Sequence, residues 1–340
     1  MSDPTKLSYY PEALRLSRDQ PISPRMAIVH PTNLCQHRCA DCEYASTREC
    51  PAPPASMDPD RLLGLVDEIA DLGAAGLLFS GGGEPTLHPA LPVAIARAAD
   101  RGLSVGLFTN GVKMSPNLLE VLVRKAAFVR ISMDAATAAT YRAIRGVDHL
   151  EPVKNNVRAL VSARLAGSSL EIGLKYLVRR EPDNIAEIPA FCALAEKLGV
   201  DNVQFKPLRQ GAGEPSAADM HAAQALISAE RTQTRRLKIS GGMSDSEINA
   251  PACWISPLRV VISADGGVHL CNYFRHRQST HTFGNINEKP LAEIWFGPEH
   301  REALKRIDPA QCGLYDCRFH KLNRELSDLV KNHRAEFDFV

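Results

Sequence analysis

No stretch of this 340-residue sequence approaches the ~20 consecutive apolar residues of a membrane-spanning helix, which excludes an ordinary transmembrane segment. Charge of one sign is also missing. With 40 basic and 39 acidic residues the formal net charge is +1, so no electrostatic footprint points to nucleic acid or to an anionic membrane surface. The first residues, with Asp3, Lys6 and Tyr9-Tyr10, lack the apolar core of a signal peptide. There is no internal repeat and no low-complexity tract. These absences predict a cytoplasmic protein in a reducing compartment, where nine cysteines read as metal ligands rather than disulfides. A 44% hydrophobic and 23% charged composition supports a full core, and the length suits one large domain with a smaller one.

What is present is concentrated in Asn33-Leu34-Cys35-Gln36-His37-Arg38-Cys39-Ala40-Asp41-Cys42. Three cysteines at C-x3-C-x2-C follow the apolar run Met26–His30. By chance, nine cysteines in this length produce about 0.006 such triplets. A strand that delivers three thiols on one loop suits an iron–sulfur cube, whose irons each take one cysteine; three ligands leave one iron open to substrate. Structural zinc is the rival. It wants four ligands, for which His37 and Cys50 are the nearby candidates.

Strand and helix signals alternate from here. Strands are expected at Met26–His30, Gly76–Phe79, Leu103–Thr109, Phe128–Ser132, Leu170–Val178 and Asn202–Lys206, as apolar runs suited to burial on both faces. Helical patterns lie between them, near Asp58–Leu72, His88–Arg101, Ser115–Lys125, Ala136–Arg145, Glu151–Ala166 and Ile185–Leu198. Asp58-Pro59 and Ser115-Pro116 place an N-cap before proline at the first helical position. A short helix is expected within Pro11–Ser17. The alternation predicts parallel pairing through right-handed crossovers, which an open doubly wound sheet also satisfies.

The glycine run Ser80-Gly81-Gly82-Gly83-Glu84-Pro85 follows the second strand. It allows close backbone approach to a ligand, or it is only a strand-to-helix turn. It is neither a phosphate loop, since no Gly-Lys-Ser/Thr follows, nor G-x-G-x-x-G. Lys175, Lys206 and Arg209 lie in or after the fifth and sixth strands. Lysine inside a parallel strand is costly unless it meets water, a partner or a ligand, so a rim cap and a cationic pocket for a substrate carboxylate or phosphate are both open.

Cys35, Cys39 and Cys42 after the first strand resemble the radical S-adenosylmethionine (SAM) enzymes. The resemblance implies a partial (β/α)6 barrel, and it extends over most of the chain. The Gly-Gly-Glu segment matches the family motif, which implies that Gly82, Gly83 and Glu84 hold the methionyl ammonium of SAM. Ile131-Ser132-Met133-Asp134-Ala135 implies Ser132, with Asp134, beside the ribose, although Asp134 also reads as a helix cap. Tyr141-Arg142-Ala143-Ile144-Arg145-Gly146 resembles the family's Tyr-Arg-x-x-Arg-Gly stretch, which implies that Arg145 pairs with the SAM carboxylate; a surface arginine is the plain alternative. The sequence departs from the family at Asp41, where an aromatic before the third cysteine packs near the adenine. Tyr44 is the candidate for that contact.

Residues 211–250, interrupted by Gly211, Gly213, Pro215, Gly241 and Gly242, read as a linker with one helix at Ala217–Thr232. The expected division is an N-terminal extension 1–25, the barrel 26–210, the linker 211–250, and residues 251–340 as an auxiliary domain ending in a helix from about Lys321. Its cysteines, Cys253, Cys271, Cys312 and Cys317, are spaced as one pair enclosing Gly266 and one C-x4-C pair. They resemble the auxiliary-cluster domain of the family in its shorter twitch form rather than the longer SPASM form. Four thiolates suffice for one fully ligated [4Fe-4S] cube, and a four-cysteine zinc site is the rival. Cys50 and Cys192 are left over, and Cys192 reads as a small core residue. The resemblance implies two [4Fe-4S] clusters, SAM, a flavodoxin- or ferredoxin-type electron donor and a 5′-deoxyadenosyl radical that takes hydrogen from a small molecule. The leading expectation is dehydrogenation of a sugar, aminocyclitol or nucleoside alcohol in natural-product biosynthesis. Decarboxylation, epimerisation and peptide maturation are the alternatives, the last weakened by the short N-terminus.

Overall fold

The computed structural model describes residues 13, 15, 22–42, 44, 55–165, 167–209, 211–233, 236–243, 250–315, 317 and 319–333. Cys50 and most of the helix expected at Pro11–Ser17 lie outside them. Six parallel strands pair in chain order: β1 (Met26–Val29), β2 (Gly76–Phe79), β3 (Ser104–Thr109), β4 (Ala126–Ser132), β5 (Glu171–Val178) and β6 (Asn202–Pro207). The helices between them are α1 (Pro59–Asp71), α2 (Leu91–Asp100), α3 (Pro116–Lys125), α4 (Ala138–Arg145), α5 (Leu150–Ala163) and α6 (Ile188–Leu198). A doubly wound sheet reverses its order at a switch point. This sheet does not reverse, and it has the strand order of the partial barrel.

The expected caps form. Asp58 accepts hydrogen bonds from the amides of Asp60 and Arg61, and Ser115 from that of Leu118. The first satisfies two of α1's four orphan donors, the second one of α3's. Cys192 is fully buried among core residues.

Strand alternation sorts the side chains into two sets. Ala27, Val29, Leu77, Phe79, Val129, Ile131, Leu174 and Phe205 belong to the main core with the helices. The residues between them face the other way. Ile28, Leu78 and Val261 form a separate inner cluster with Phe274, and Met26, Phe108 and Phe128 pack against it.

The segment expected as a linker holds more structure than its glycines suggested. Helix α7 (Ala217–Thr232) opens with a capping box between Ser216 and Asp219 and leads to β7 (Lys238–Gly241), which pairs parallel to β6. Gly241 ends that strand and Gly242 follows it, with φ of 80° and 153°. At the opposite edge β8 (Arg259–Ile262) pairs parallel to β1, and β9 (Gly267–His269) and β10 (Thr282–Asn285) continue antiparallel. The C-terminal cysteine region is therefore hydrogen-bonded into the barrel's own sheet. Short helix α8 (Gln278–His281) lies between β9 and β10, α9 (Leu291–Phe296) and α10 (Pro298–Lys305) follow, and α11 (His320–His333) is the expected final helix. Among the described residues no helix is long and apolar enough to cross a membrane.

Candidate active site and cluster sites

The cysteine loop leaves β1 at His30 and is stitched to two other elements. On one side the amides of Gly83 and Glu84 donate to the carbonyls of Thr32 (3.0 Å) and Leu34 (2.7 Å). A Cβ on Gly83 would stand 2.1 Å from the Leu34 carbonyl oxygen, and one on Gly82 would meet Asn33 and the Tyr44 ring. The glycines are thus required by close approach of the loop itself. On the other side the amides of Arg38 and Ala40 donate to the carbonyls of Arg145 and Ile144, both at 3.0 Å. Gly146, at φ 69°, ends α4 where a side chain would strike the Arg38 backbone.

Glu84 is 2% exposed. Its Oε1 accepts from the Thr86 amide (3.1 Å), the Thr86 hydroxyl (2.8 Å) and the Thr109 hydroxyl (2.6 Å), and its Oε2 from the Asn110 amide (2.7 Å). Burial pushes its carboxyl above the usual range, against these hydrogen bonds. The carboxyl ties the end of β2 to the end of β3 beneath the loop.

Asp134 does not cap a helix; Thr137 caps α4. Asp134 sits in the left-handed region at φ 60°, with Oδ1 accepting from the Leu177 amide (2.7 Å) and Oδ2 from Arg145 (2.5 Å). Arg145 is buried rather than a surface residue. Burial works against its charge, but Asp134 and Cys39 outweigh it and hold the guanidinium charged. Its Nη1 lies 3.6 Å from Cys39 Sγ. Ser132, at the end of β4, pairs in register with Lys175 on β5. Lys175 and Lys206 fall on the same inner face, Lys175 opposite Gln204 and Lys206 opposite Leu177.

The other residues around the loop follow the same economy of contacts. Tyr44 leans on Gly82, and its hydroxyl and His30 Nδ1 hydrogen-bond at 3.1 Å. Asp41, where the family pattern has an aromatic, forms an ion pair with buried Arg179 and is closed over by Gly211. His37 is buried edge-on against Tyr141; burial, then the charges of Arg145 and His149, push it down to about 3.

The thiols suit the cluster. Cys35 receives the His37 amide at 3.4 Å and the Asn110 side-chain amide at 3.9 Å, and Cys39 receives Arg145, the donors that thiolate ligands need. Cys253, Cys271, Cys312 and Cys317 line one cavity with Tyr273 and Phe319. Burial pushes the Cys271 thiol up to about 12, so it reaches the thiolate form through a cationic or metallic partner. Arg277 grips the Cys312 turn, with Nη1 3.3 Å from the Cys312 sulfur and Nη2 2.6 Å from the Gln311 carbonyl oxygen. Asn323 reaches Cys253 at 4.0 Å. Among the described residues no three His, Cys, Asp or Glu side chains gather tightly enough for a single metal ion.

The Radical SAM superfamily matches residues 29–187, and the SPASM iron–sulfur cluster-binding domain matches residues 253–318. The chain is a radical SAM protein with a C-terminal SPASM domain. Its cofactors are SAM and two iron–sulfur clusters. It is 28% identical over 334 residues to the AdoMet-dependent heme synthase of Methanosarcina barkeri, covering 88% of this chain and 90% of that one. It is 26% identical over 302 residues to the PqqA peptide cyclase of Granulibacter bethesdensis, covering 83% and 78%. The fold is shared with the crystal structure of Streptococcus suis SuiB bound to S-adenosylmethionine, at TM-score 0.66 and 14% identity over 88% of this chain and 72% of that one.

Several residues of the site escaped the sequence reading. Arg277, Asn323 and Arg179 carry no local signal, because each acts on a partner distant in the chain. Arg130 carried the signal that marked Lys175, a cation inside an apolar strand.

Proposed function

We propose that this radical SAM enzyme removes two electrons from a carboxylate-bearing substrate bound against the inner face of the sheet. Cys35, Cys39 and Cys42 hold one cluster and Cys253, Cys271, Cys312 and Cys317 the other; Gly82, Gly83, Ser132, Arg145 and Tyr44 surround SAM. Bound there, these groups supply hydrogen-atom abstraction at the first site and a one-electron acceptor at the second. The chain's own work is to orient and to shelter. Arg145 is fixed by Asp134 before any ligand arrives, and the glycine run lets the β2 exit close on the cluster loop.

The observation that carries the substrate class is the row of cations, Lys175 and Lys206, on the same inner face as Ser132. The Methanosarcina barkeri relative that this chain matches over 90% of its length is named for haem, a planar apolar macrocycle edged with carboxylates. The sugar or aminocyclitol alcohol of the sequence reading finds no such support. Peptide modification is the second reading, favoured by the PqqA peptide cyclase match.

The test is anaerobic turnover of the reconstituted holoenzyme with SAM, a reductant, and either iron coproporphyrin III or a glutamate-rich peptide. The expected result is 5′-deoxyadenosine formation above background with the tetrapyrrole. The product should be two electrons poorer, lighter by two hydrogens alone or with carbon dioxide as well. A product of unchanged mass would overturn the oxidation, and turnover with the peptide alone would hand the site to the second reading.

A further inference from the structure

The auxiliary cysteines come from three separate stretches of chain, and two polar side chains hold their turns. Asn323, buried on α11, accepts the amides of Trp254 (2.8 Å) and Ile255 (3.2 Å) on Oδ1 and turns Nδ2 toward Cys253 Sγ at 4.0 Å. Arg277 holds the other turn. Its Nη2 donates to the Gln311 carbonyl at 2.6 Å, and its Nη1 lies 3.3 Å from Cys312 Sγ. Of these two clamps only Arg277 brings a charge.

Arg277 reaches its place from a segment fixed at both ends. It closes the short turn Phe274–Arg277, directly before α8. Phe274 is 4% exposed, packed with Ile28, Leu78 and Val261, and stacked on His269 at 3.6 Å between centroids. Beyond the turn, the Thr280 hydroxyl donates to the Arg277 carbonyl at 3.2 Å. The backbone beneath the guanidinium is therefore set by packing before a cluster arrives. The cavity that the four cysteines line also takes in Arg259, whose guanidinium stands over the Phe319 ring at 4.5 Å, and its described lining includes no carboxylate. Asp308, at the head of the Cys312 turn, spends its carboxylate on the Ala310 amide and the Gln311 side chain, both at 3.0 Å.

A cube held by four thiolates is an anion, and the electron it takes makes it one charge more negative. Hydrogen bonds to its sulfurs and positive charge beside it favour the reduced form, which raises its potential. A neutral donor suffices to hold a turn, as Asn323 does at Cys253; a guanidinium adds charge at the sulfur. We infer that Arg277 is a positioning residue that acts through Cys312: it raises the reduction potential of the auxiliary cluster, so that the cluster accepts the one electron that leaves the substrate radical. The cluster is reduced by that electron and the radical is oxidised. The inference rests on the proposed assignment of Cys253, Cys271, Cys312 and Cys317 to this cluster.

The full-length protein carrying Cys35→Ala, Cys39→Ala and Cys42→Ala should keep the auxiliary cube alone, about four irons. Potentiometric titration followed by electron paramagnetic resonance then reads that cube's midpoint without the first cluster's signal. In this background Arg277→Gln should retain the iron and lower the reduced-to-oxidised ratio at a given potential about tenfold, a midpoint shift of ~59 mV for one electron. Arg277→Lys keeps the charge and should return the midpoint at least halfway to the parent's. An unchanged midpoint in Arg277→Gln overturns the inference. So does a lysine variant shifted as far as the glutamine one, since contact geometry rather than charge would then matter. Loss of iron from Arg277→Gln makes Arg277 a holder of the turn and likewise overturns it. Replacing the four auxiliary cysteines by alanine as well should remove the remaining iron. If iron stayed, the ligand assignment itself would fail; if it left while the Arg277→Gln midpoint matched the parent's, only the role of Arg277 would.

Discussion

Asp134 illustrates how much rests on single side chains here. It adopts a backbone conformation that non-glycine residues rarely take, and it does so while satisfying the Leu177 amide and the buried Arg145 charge. Asn184 then donates to the Asp134 carbonyl at 3.0 Å and accepts the Arg179 amide at 2.9 Å, and Arg179 pairs with Asp41 in the cluster loop. Both ends of this chain of contacts reach the cysteine loop, one at Cys39 and one beside Cys42. Asp134→Asn keeps the hydrogen bond to Leu177 but strands a buried guanidinium, so it should cost about 3 kcal/mol. The denaturant midpoint of the holoprotein measures this, and a midpoint equal to the parent's would show that Arg145 finds its counter-charge elsewhere. The residue type and the arginine were visible in the sequence as candidates. Their pairing was not, because eleven positions and a whole helix separate them.

At the scale of elements, the C-terminal helices are fastened to the barrel by a small aromatic stack. His300 of α10 stacks on Phe283 of β10 at 4.3 Å between centroids and lies 4.2 Å from Trp295 of α9, and its Nδ1 is 2.7 Å from the Trp295 carbonyl oxygen. Trp295 in turn donates to the Ile22 carbonyl at 2.8 Å. Burial pushes His300 down to about 4, against the hydrogen bond to Trp295. The unfolded chain binds a proton near the ordinary value of ~6.5 while the folded one refuses it until about 4. The stabilisation is therefore complete above pH ~6.5 and is lost as the pH falls toward the folded value, by about 1.4 kcal/mol per pH unit. Thermal unfolding between pH 7.5 and 5.5 should show a shallower decline in His300→Gln than in the parent. Parallel declines would mean that His300 does not stay neutral in the fold. The sequence pattern located the final helix closely. It did not mark α10 or β10, which are short and owe their form to this stack.

For the whole molecule, the continuous sheet joins the two cluster sites into one body. β8 pairs with β1, the strand that feeds the first cysteine loop, and Phe274 from the second cysteine region lies 6.3 Å from His30 at the head of that loop. Even so, the two thiol sets are expected to hold their clusters independently. Reconstituted protein should hold about eight irons, and Cys35→Ala, Cys39→Ala and Cys42→Ala together should leave about four and stop SAM cleavage. Iron analysis alongside 5′-deoxyadenosine measurement decides it; a triple variant that still cleaved SAM would move the active cluster elsewhere. The sequence by itself determined the alternation of strands and helices, the capped starts of α1 and α3, both cysteine sets and the glycine run, because each is written in local spacing that tertiary contacts do not alter. Only the tertiary structure decided that β7 extends the sheet past the glycines of residues 211–213, that the second cysteine region joins the same sheet, and that Glu84 is buried as a brace. It also decided that the Arg130 guanidinium stands over the rings of Phe128 and Phe108. Period-2 alternation assigns a side chain to a face, but the strand beside it, and hence its partner or lack of one, is set by register between segments far apart in the chain.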